Sequence, residues 1–210
     1  MKVLATNIAE PRKISWNGKT EYTGIYKLPV QQPIFLGKEE VRGDTIVYGK
    51  VHGGIDKACY LFAAEQYAYW KTKYPDLEWD WGMFGENLSI SGLDESQLRI
   101  GDVLQIGQAL VEVSEPREPC YKLGLKFGNQ KIIKEFVDHG FPGTYVRILE
   151  EGYVSAGDKA QLIRQSDNVL TVKAFFELRY MQVKDPDILQ LAINNPALSM
   201  RQKEKLKRFL

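Results

Sequence analysis

The chain has 210 residues, 44% of them hydrophobic and 26% charged. That is globular composition, with length for one domain or for one domain and a small appendage, and it excludes disorder, collagen-like repeats and low-complexity polymers. Lys plus Arg is 28 and Asp plus Glu is 27, a formal net charge of +1, so no global field steers the protein toward nucleic acid or an anionic membrane, and any anion-binding site must be local.

No stretch approaches the ~20 apolar residues that span a bilayer. Asn7, Glu10 and Pro11 interrupt the start as a signal-peptide core. A cytoplasmic location is therefore expected. The only cysteines are Cys59 and Cys120, and the only histidines His52 and His139. They cannot make a disulfide framework, a four-cysteine zinc site or an all-cysteine iron–sulfur cluster. No P-loop, GxGxxG after a strand or GxSxG occurs.

In chain order, the first hundred residues are rich in Gly and β-formers, with turns expected at Gly18-Lys19-Thr20 and Gly37-Lys38-Glu39. Residues 45–48 read as a strand. Next a helix is expected after His52-Gly53-Gly54, capped by Asp56, with Leu61, Ala64, Tyr67, Ala68 and Lys71 at helical spacing and Pro75 as its end. Residues 102–106 and 110–114 read as strands joined by a Gly107-Gln108 hairpin turn. A loop stiffened by Pro116 and Pro119 follows. Then comes a helix capped by Asn129, with Ile132, Ile133, Phe136 and Val137 as its stripe and Gly140 as its stop. Residues 145–149 and 160–163 read as two more strands.

From Ser166 the pattern turns helical. Thr171 caps a helix with Ala174, Phe175, Leu178 and Met181 as its stripe. Asp185-Pro186 opens a second, which ends at Asn195-Pro196. Ser199 with Gln202 forms a capping box for a third. The expected architecture is mainly β with peripheral helices (α+β): a β-rich body over residues 1–165 and a three-helix appendage over 166–210.

Three stretches carry chemistry. In the first, Ser114-Glu-Pro-Arg-Glu-Pro-Cys-Tyr-Lys122, prolines stiffen the loop around Cys120. Arg117 and Lys122 flank the thiol, and a nearby cation favours the thiolate, the form that attacks, carries sulfur or binds metal. Burial as a small hydrophobe is the alternative for Cys120. Cys59, in an apolar run, reads as structural. The second stretch is Lys50-Val-His-Gly-Gly-Ile-Asp-Lys57. Its Gly53-Gly54 pair could turn N–H groups toward an anion at a helix start, with His52 and Lys57 adding charge or hydrogen bonds. In the third, Gly82-Met-Phe-Gly-Glu-Asn-Leu88, Glu86 and Asn87 enter an apolar strand; a bulge satisfied by polar side chains is the simpler reading. Arg12, Lys19 and Lys27 read as surface charges, and the basic run 201–208 as a solvated helix face.

Taken in order, Lys50-Val-His-Gly-Gly-Ile-Asp-Lys-Ala58, Gly82-Met-Phe-Gly-Glu-Asn-Leu88 and Glu115-Pro-Arg-Glu-Pro-Cys-Tyr-Lys-Leu123 resemble the MOSC-domain family, named for the C-terminal domain of molybdenum-cofactor sulfurases. The likeness is to its small stand-alone, YiiM-like bacterial branch. Residues 15–25 and Lys27-Leu-Pro29 fit it, as does the helical tail. The resemblance implies a β-barrel of the pyruvate-kinase-barrel type, closed or partly open. It implies that Cys120 is the signature cysteine, either a ligand to the molybdenum of the cofactor (molybdopterin) or a persulfide carrier. His52, Gly53, Gly54, Asn87, Arg117 and Lys122 match motif positions around the pocket, and Lys57 could add a cation. The implied activity is reduction of N-hydroxylated compounds, such as hydroxylamino purines, to amines. Alternatives are a sulfur carrier and a non-catalytic cofactor-delivery module. Reduction needs electrons, and neither a cluster nor a flavin fingerprint is visible, so a separate electron-donor redox protein is expected as partner. No partner membrane or nucleic acid polymer is expected, and homodimerisation is left open.

Overall fold

The computed structural model describes residues 1–45 and 53–209. His52 and most of the strand expected over 45–48 lie outside them. The first strand, β1 (Lys2–Ile8), is followed by the hairpin β2 (Arg12–Trp16) and β3 (Lys19–Thr23). The hairpin turns at Asn17 and Gly18, with φ of 48° and 73°. Positive φ at both central residues is the geometry that Asn-Gly supplies most cheaply, so the turn sits one residue earlier than expected. β4 (Leu28–Val30) and β5 (Ile34–Leu36) follow.

The expected helix from Asp56 to Lys71 is not what forms. Ile55–Lys57 make a single 3₁₀ turn, Cys59–Ala63 is a strand, β6, and only Gln66–Lys73 is helical, as α1. The reason lies in the neighbours of β6. Cys59, Leu61 and Ala63 join an aliphatic cluster, while Tyr60 and Phe62 join an aromatic one. Every residue of β6 is buried. A strand covered on both faces reads as an unbroken apolar run, which periodicity alone cannot separate from a helix.

β7 (Leu88–Ser91), β8 (Val103–Ile106) and β9 (Ala109–Pro116) follow, then helices α2 (Tyr121–Lys126) and α3 (Lys131–His139), then β10 (Thr144–Glu150), β11 (Gly152–Val154) and β12 (Ala160–Arg164). The described strands form an eight-stranded mixed sheet in the order β12-β8-β9-β10-β6-β7-β1-β4. Its ladders are antiparallel except for the parallel pair β6–β7. The sheet curls far enough that Lys2 bridges Lys159 and Ala160 N donates to Met1 O at 3.0 Å. β5 pairs with β11, and β2 with β3. The architecture is a large mixed sheet with several helices, an α+β fold.

The hairpin expected at Gly107-Gln108 forms, with Ile106 paired to Ala109. Asn129 Oδ1 accepts from Lys131 N at the start of α3, and Gly140 ends α3 at φ 75°. The three tail helices are α4 (Val172–Tyr180), α5 (Pro186–Asn194) and α6 (Met200–Lys207). Thr171, Asp185 and Ser199 cap them, each side chain accepting from first-turn N–H groups. Met181, expected on the buried stripe of α4, is instead its exposed C-cap. Val172, Phe175, Leu178, Leu189 and Leu206 join the same aliphatic cluster as β1, β6 and β9. No helix among the described residues is long and apolar enough to cross a membrane.

Candidate functional site

The site is built where β9 leaves the sheet. Register places Tyr145 of β10 opposite Glu115 and Thr144 opposite Pro116. The chain then departs as Arg117-Glu118-Pro119-Cys120. A helix begins directly at Cys120, whose carbonyl accepts from Leu123 N at 2.9 Å. This short helix, α2, was not anticipated; it replaces most of the loop expected before α3. Cys120 is half-buried, whereas Cys59 is 1% exposed on the aliphatic face of β6. Burial pushes the Cys59 thiol far up, out of the range where it would ionise.

Cys120 lies on the wall between two cavities. The first, of about 100 Å³, is bounded by Arg117, Lys122, Lys57, Lys27, Asn87 and Tyr145 as well as by the thiol. Cations dominate this lining, and they differ in how they are held. Lys27 forms a buried ion pair with Asp44. That corrects its reading as a surface charge: it is 7% exposed. Asn87 fixes the pair, donating from Nδ2 to Asp44 Oδ2 at 2.8 Å while its Oδ1 accepts from Tyr60 N at 3.1 Å. Lys122 reaches Glu21 at 3.3 Å and Lys57 reaches Glu115 at 3.2 Å.

Arg117 is different. It is 6% exposed, and its Nη1 has no hydrogen-bond partner among the described residues. No carboxylate among the described residues forms an ion pair with it. Its guanidinium lies 5.3 Å from the centre of the Tyr60 ring and 5.6 Å from that of Phe136. Burial pulls its pKa down, but Tyr60, Tyr145, the Cys120 thiol and Glu86 outweigh that and leave it above the ordinary value. It therefore stays charged. Tyr145 is moved the other way by desolvation, which pushes its phenol up to about 12 against the pull of Arg117. At neutral pH its hydroxyl keeps its proton.

The second cavity, of about 430 Å³, shares Cys120, Lys57, Glu118 and Tyr145 with the first. Gly53 and Gly54 line one side, and Arg201 and Lys205 of α6 the other. Gly54, at φ 92°, leads into the 3₁₀ turn. The element after Gly53-Gly54 is a three-residue 3₁₀ turn rather than the helix expected there, so the pair does not stand at a helix start. Asp56 caps nothing; its carboxylate holds Arg147. Glu86, fully buried, accepts from Gly82 N at 2.9 Å, Phe84 N at 3.1 Å and Ser89 Oγ at 2.8 Å. It holds the turn that presents Asn87.

The fold thus gathers Cys120, Arg117, Lys122, Lys57 and Asn87 around one cavity, and Gly53 and Gly54 around its neighbour. The motif reading did not place Lys27, Tyr145, Arg201 or Lys205 there. Tyr145 looked like any strand residue. Arg201 and Lys205 looked like a solvated face, though their spacing of four already put them on one side of a helix.

Comparison with known proteins identifies the family. The family model described as "MOSC domain" matches residues 48–161. YflK of Bacillus subtilis (strain 168) is 34% identical over 211 residues, covering 97% of this chain and 95% of that protein. A protein of Gibberella moniliformis named "Reductase" is 33% identical over 147 residues, 68% of this chain but 26% of that protein. Among solved structures, YiiM from Geobacillus stearothermophilus superposes with a TM-score of 0.83 at 28% identity, over 100% of this chain and 98% of that one. With the family model spanning more than half of its length and a full-length relative at this identity, the chain belongs to the MOSC-domain family and resembles its stand-alone YiiM-like members.

Proposed function

We propose that the chain binds a molybdenum cofactor with Cys120 as metal ligand and reduces N-hydroxylated compounds, such as hydroxylamino purines, to amines. One observation carries this reading. Cys120 lines a cavity whose wall holds a buried guanidinium, Arg117, with an Nη1 unpartnered and no ion-paired carboxylate among the described residues. A charge buried in that way costs free energy until an anion arrives. Molybdopterin, with its dithiolene and phosphate, is such an anion, and molybdenum favours a soft sulfur ligand.

When bound, the cofactor supplies two-electron redox exchange at the metal. The chain's own residues supply the rest. Arg117 and Lys122 hold anionic oxygens. Lys27, fixed by Asp44 and Asn87, offers a positive wall that does not move. Tyr145 Oη holds a proton where both cavities meet, ready to donate a hydrogen bond to a hydroxylamine oxygen. Conversion of N–OH to N–H consumes two electrons and two protons and releases water. The electrons come from a separate redox protein, because two cysteines on different faces of the fold cannot hold a cluster. The name of the fungal relative, "Reductase", supports a reductive activity. The barrel topology implied by the family belongs to the same proposal, as does a cytoplasmic setting.

The test is metal analysis of protein made in hosts with and without cofactor biosynthesis, joined to turnover of a hydroxylamino purine with an artificial electron donor. Near-stoichiometric molybdenum from the competent host alone, with turnover that Cys120→Ser abolishes, is expected. Metal without turnover reduces the protein to a cofactor-binding module. No metal, but an added sulfur on Cys120 by mass spectrometry, identifies a sulfur carrier.

A further inference from the structure

We propose that the second cavity is a phosphate-monoester subsite, which makes N-hydroxylated nucleotides better ligands than the matching nucleosides and free bases. This deepens the function proposed above and rests on it for the reacting group. The subsite stands on features that reading does not use.

Cys120, Lys57, Glu118 and Tyr145 belong to both cavities, so Cys120 borders two volumes. Arg117 makes the first the place for a resident anion. The second is larger, and one wall of it is formed by Ser199, the N-cap of α6, with Arg201, Gln202 and Lys205. Arg201 and Lys205, one turn apart, line it together with Lys57 and the Gly53-Gly54 turn. No side chain projects from that turn, and the space above Gly54 is open.

The carboxylates of this wall are already engaged. Asp56 holds Arg147, Glu115 takes Lys57 and the Gln202 amide, and Glu118 takes Arg179 at 2.7 Å. Like charges crowd around Lys205. Burial, then Arg179, Arg201 and Lys57, lower its pKa, while only Glu118 opposes them. A dianion placed among these groups relieves that repulsion.

Cations from two elements surround the volume on several sides. That suits the three terminal oxygens of a phosphate monoester better than a carboxylate, which one guanidinium fork satisfies. Arg201 is exposed and Lys205 half-buried. Rim cations of this kind suit a ligand that must enter and leave, whereas a permanently held cofactor is better served by the buried Arg117.

The experiment is calorimetric binding of adenosine 5′-monophosphate, adenosine and inorganic phosphate to the full chain, prepared from hosts with and without cofactor biosynthesis. The monophosphate should bind about tenfold tighter than adenosine, or more, as one or two charge-assisted contacts imply. Phosphate should compete with it. Arg201→Gln with Lys205→Gln should abolish the preference and leave adenosine affinity and circular dichroism unchanged. The charge-reversed pair R201E/K205E serves as a second, stronger variant. Equal binding of monophosphate and adenosine, or a preference that survives in both variant pairs, overturns the subsite. So does lowered molybdenum content in the variants without any monophosphate preference in the wild type, because the cations would then serve the cofactor. Absence of molybdenum from wild-type protein would sink the redox reading while leaving the binding preference standing, so the two failures are distinct.

Discussion

Arg117→Met separates a residue kept for binding from one kept for stability. Methionine retains an unbranched apolar chain of similar reach and removes the charge. The loss is the pair of ring contacts to Tyr60 and Phe136, worth about 1–2 kcal/mol together when desolvated. The gain is relief of the several kcal/mol it costs to strip water from a buried ion, a cost no carboxylate here repays. Tyr145 loses a partner but borders a cavity that admits water. The cofactor-free variant should therefore be as stable as wild type, or more stable by up to about 2 kcal/mol. At about 2–4 °C per kcal/mol for a chain of this size, its Tm should hold or rise by up to about 8 °C. Thermal unfolding of protein from a host lacking cofactor biosynthesis measures this. Molybdenum content from a competent host should fall sharply in the same variant. A Tm lowered by more than about 6 °C would show that Arg117 braces the fold, and the inference from its unpartnered charge would collapse.

Glu95 gives a pH dependence with a definite sign. Its side chain is fully buried, Oε1 accepts from Gly143 N at 3.0 Å and Oε2 has no partner. Burial lifts its pKa from 4.5 to about 7. The carboxyl is protonated in both states below the unfolded value, so its contribution is complete there. It is lost as pH rises through the folded value, a swing of about 3 kcal/mol. Urea unfolding at pH about 5 and about 8 should show this slope in wild type and not in Glu95→Gln; the same slope in both would exclude Glu95 as its source. Thiol labelling should distinguish the two cysteines: iodoacetamide should modify Cys120 in native protein, and Cys59 only after unfolding, because Cys59 is 1% exposed. Comparable native rates at the two positions would contradict the packing of β6.

Local chemistry was legible wherever it decided the structure locally. The caps at Thr171, Asp185 and Ser199, the αL stop at Gly140 and the Gly107-Gln108 turn each depend on a few consecutive residues, and each forms as read. β6 was misread because its burial comes from two partners distant in sequence. α2 is not legible because its six residues are too few to show a periodicity and include Gly124, a poor helix former. The same division holds at the site. Cys120, Arg117 and Lys122 share one short stretch, so their neighbourhood shows in the sequence. Lys27 and Tyr145 reach the cavity only through strand register, and Arg201 and Lys205 only because Gln202 fastens α6 to Glu115.

The parallel pairing of β6 with β7 has a consequence for assembly. Two parallel neighbours cannot be joined by a tight turn, so residues 64–87 must loop out and return. That excursion carries Tyr67, Trp70 and Phe84, which build the aromatic cluster. Asn87, which sets Asp44 and through it Lys27, is the last residue before the return strand. Closing so long a detour is entropically slow. The antiparallel neighbours β8 and β9 close through a tight turn, whereas the cation-lined chamber is complete only once the detour has returned Asn87 to its place beside Asp44.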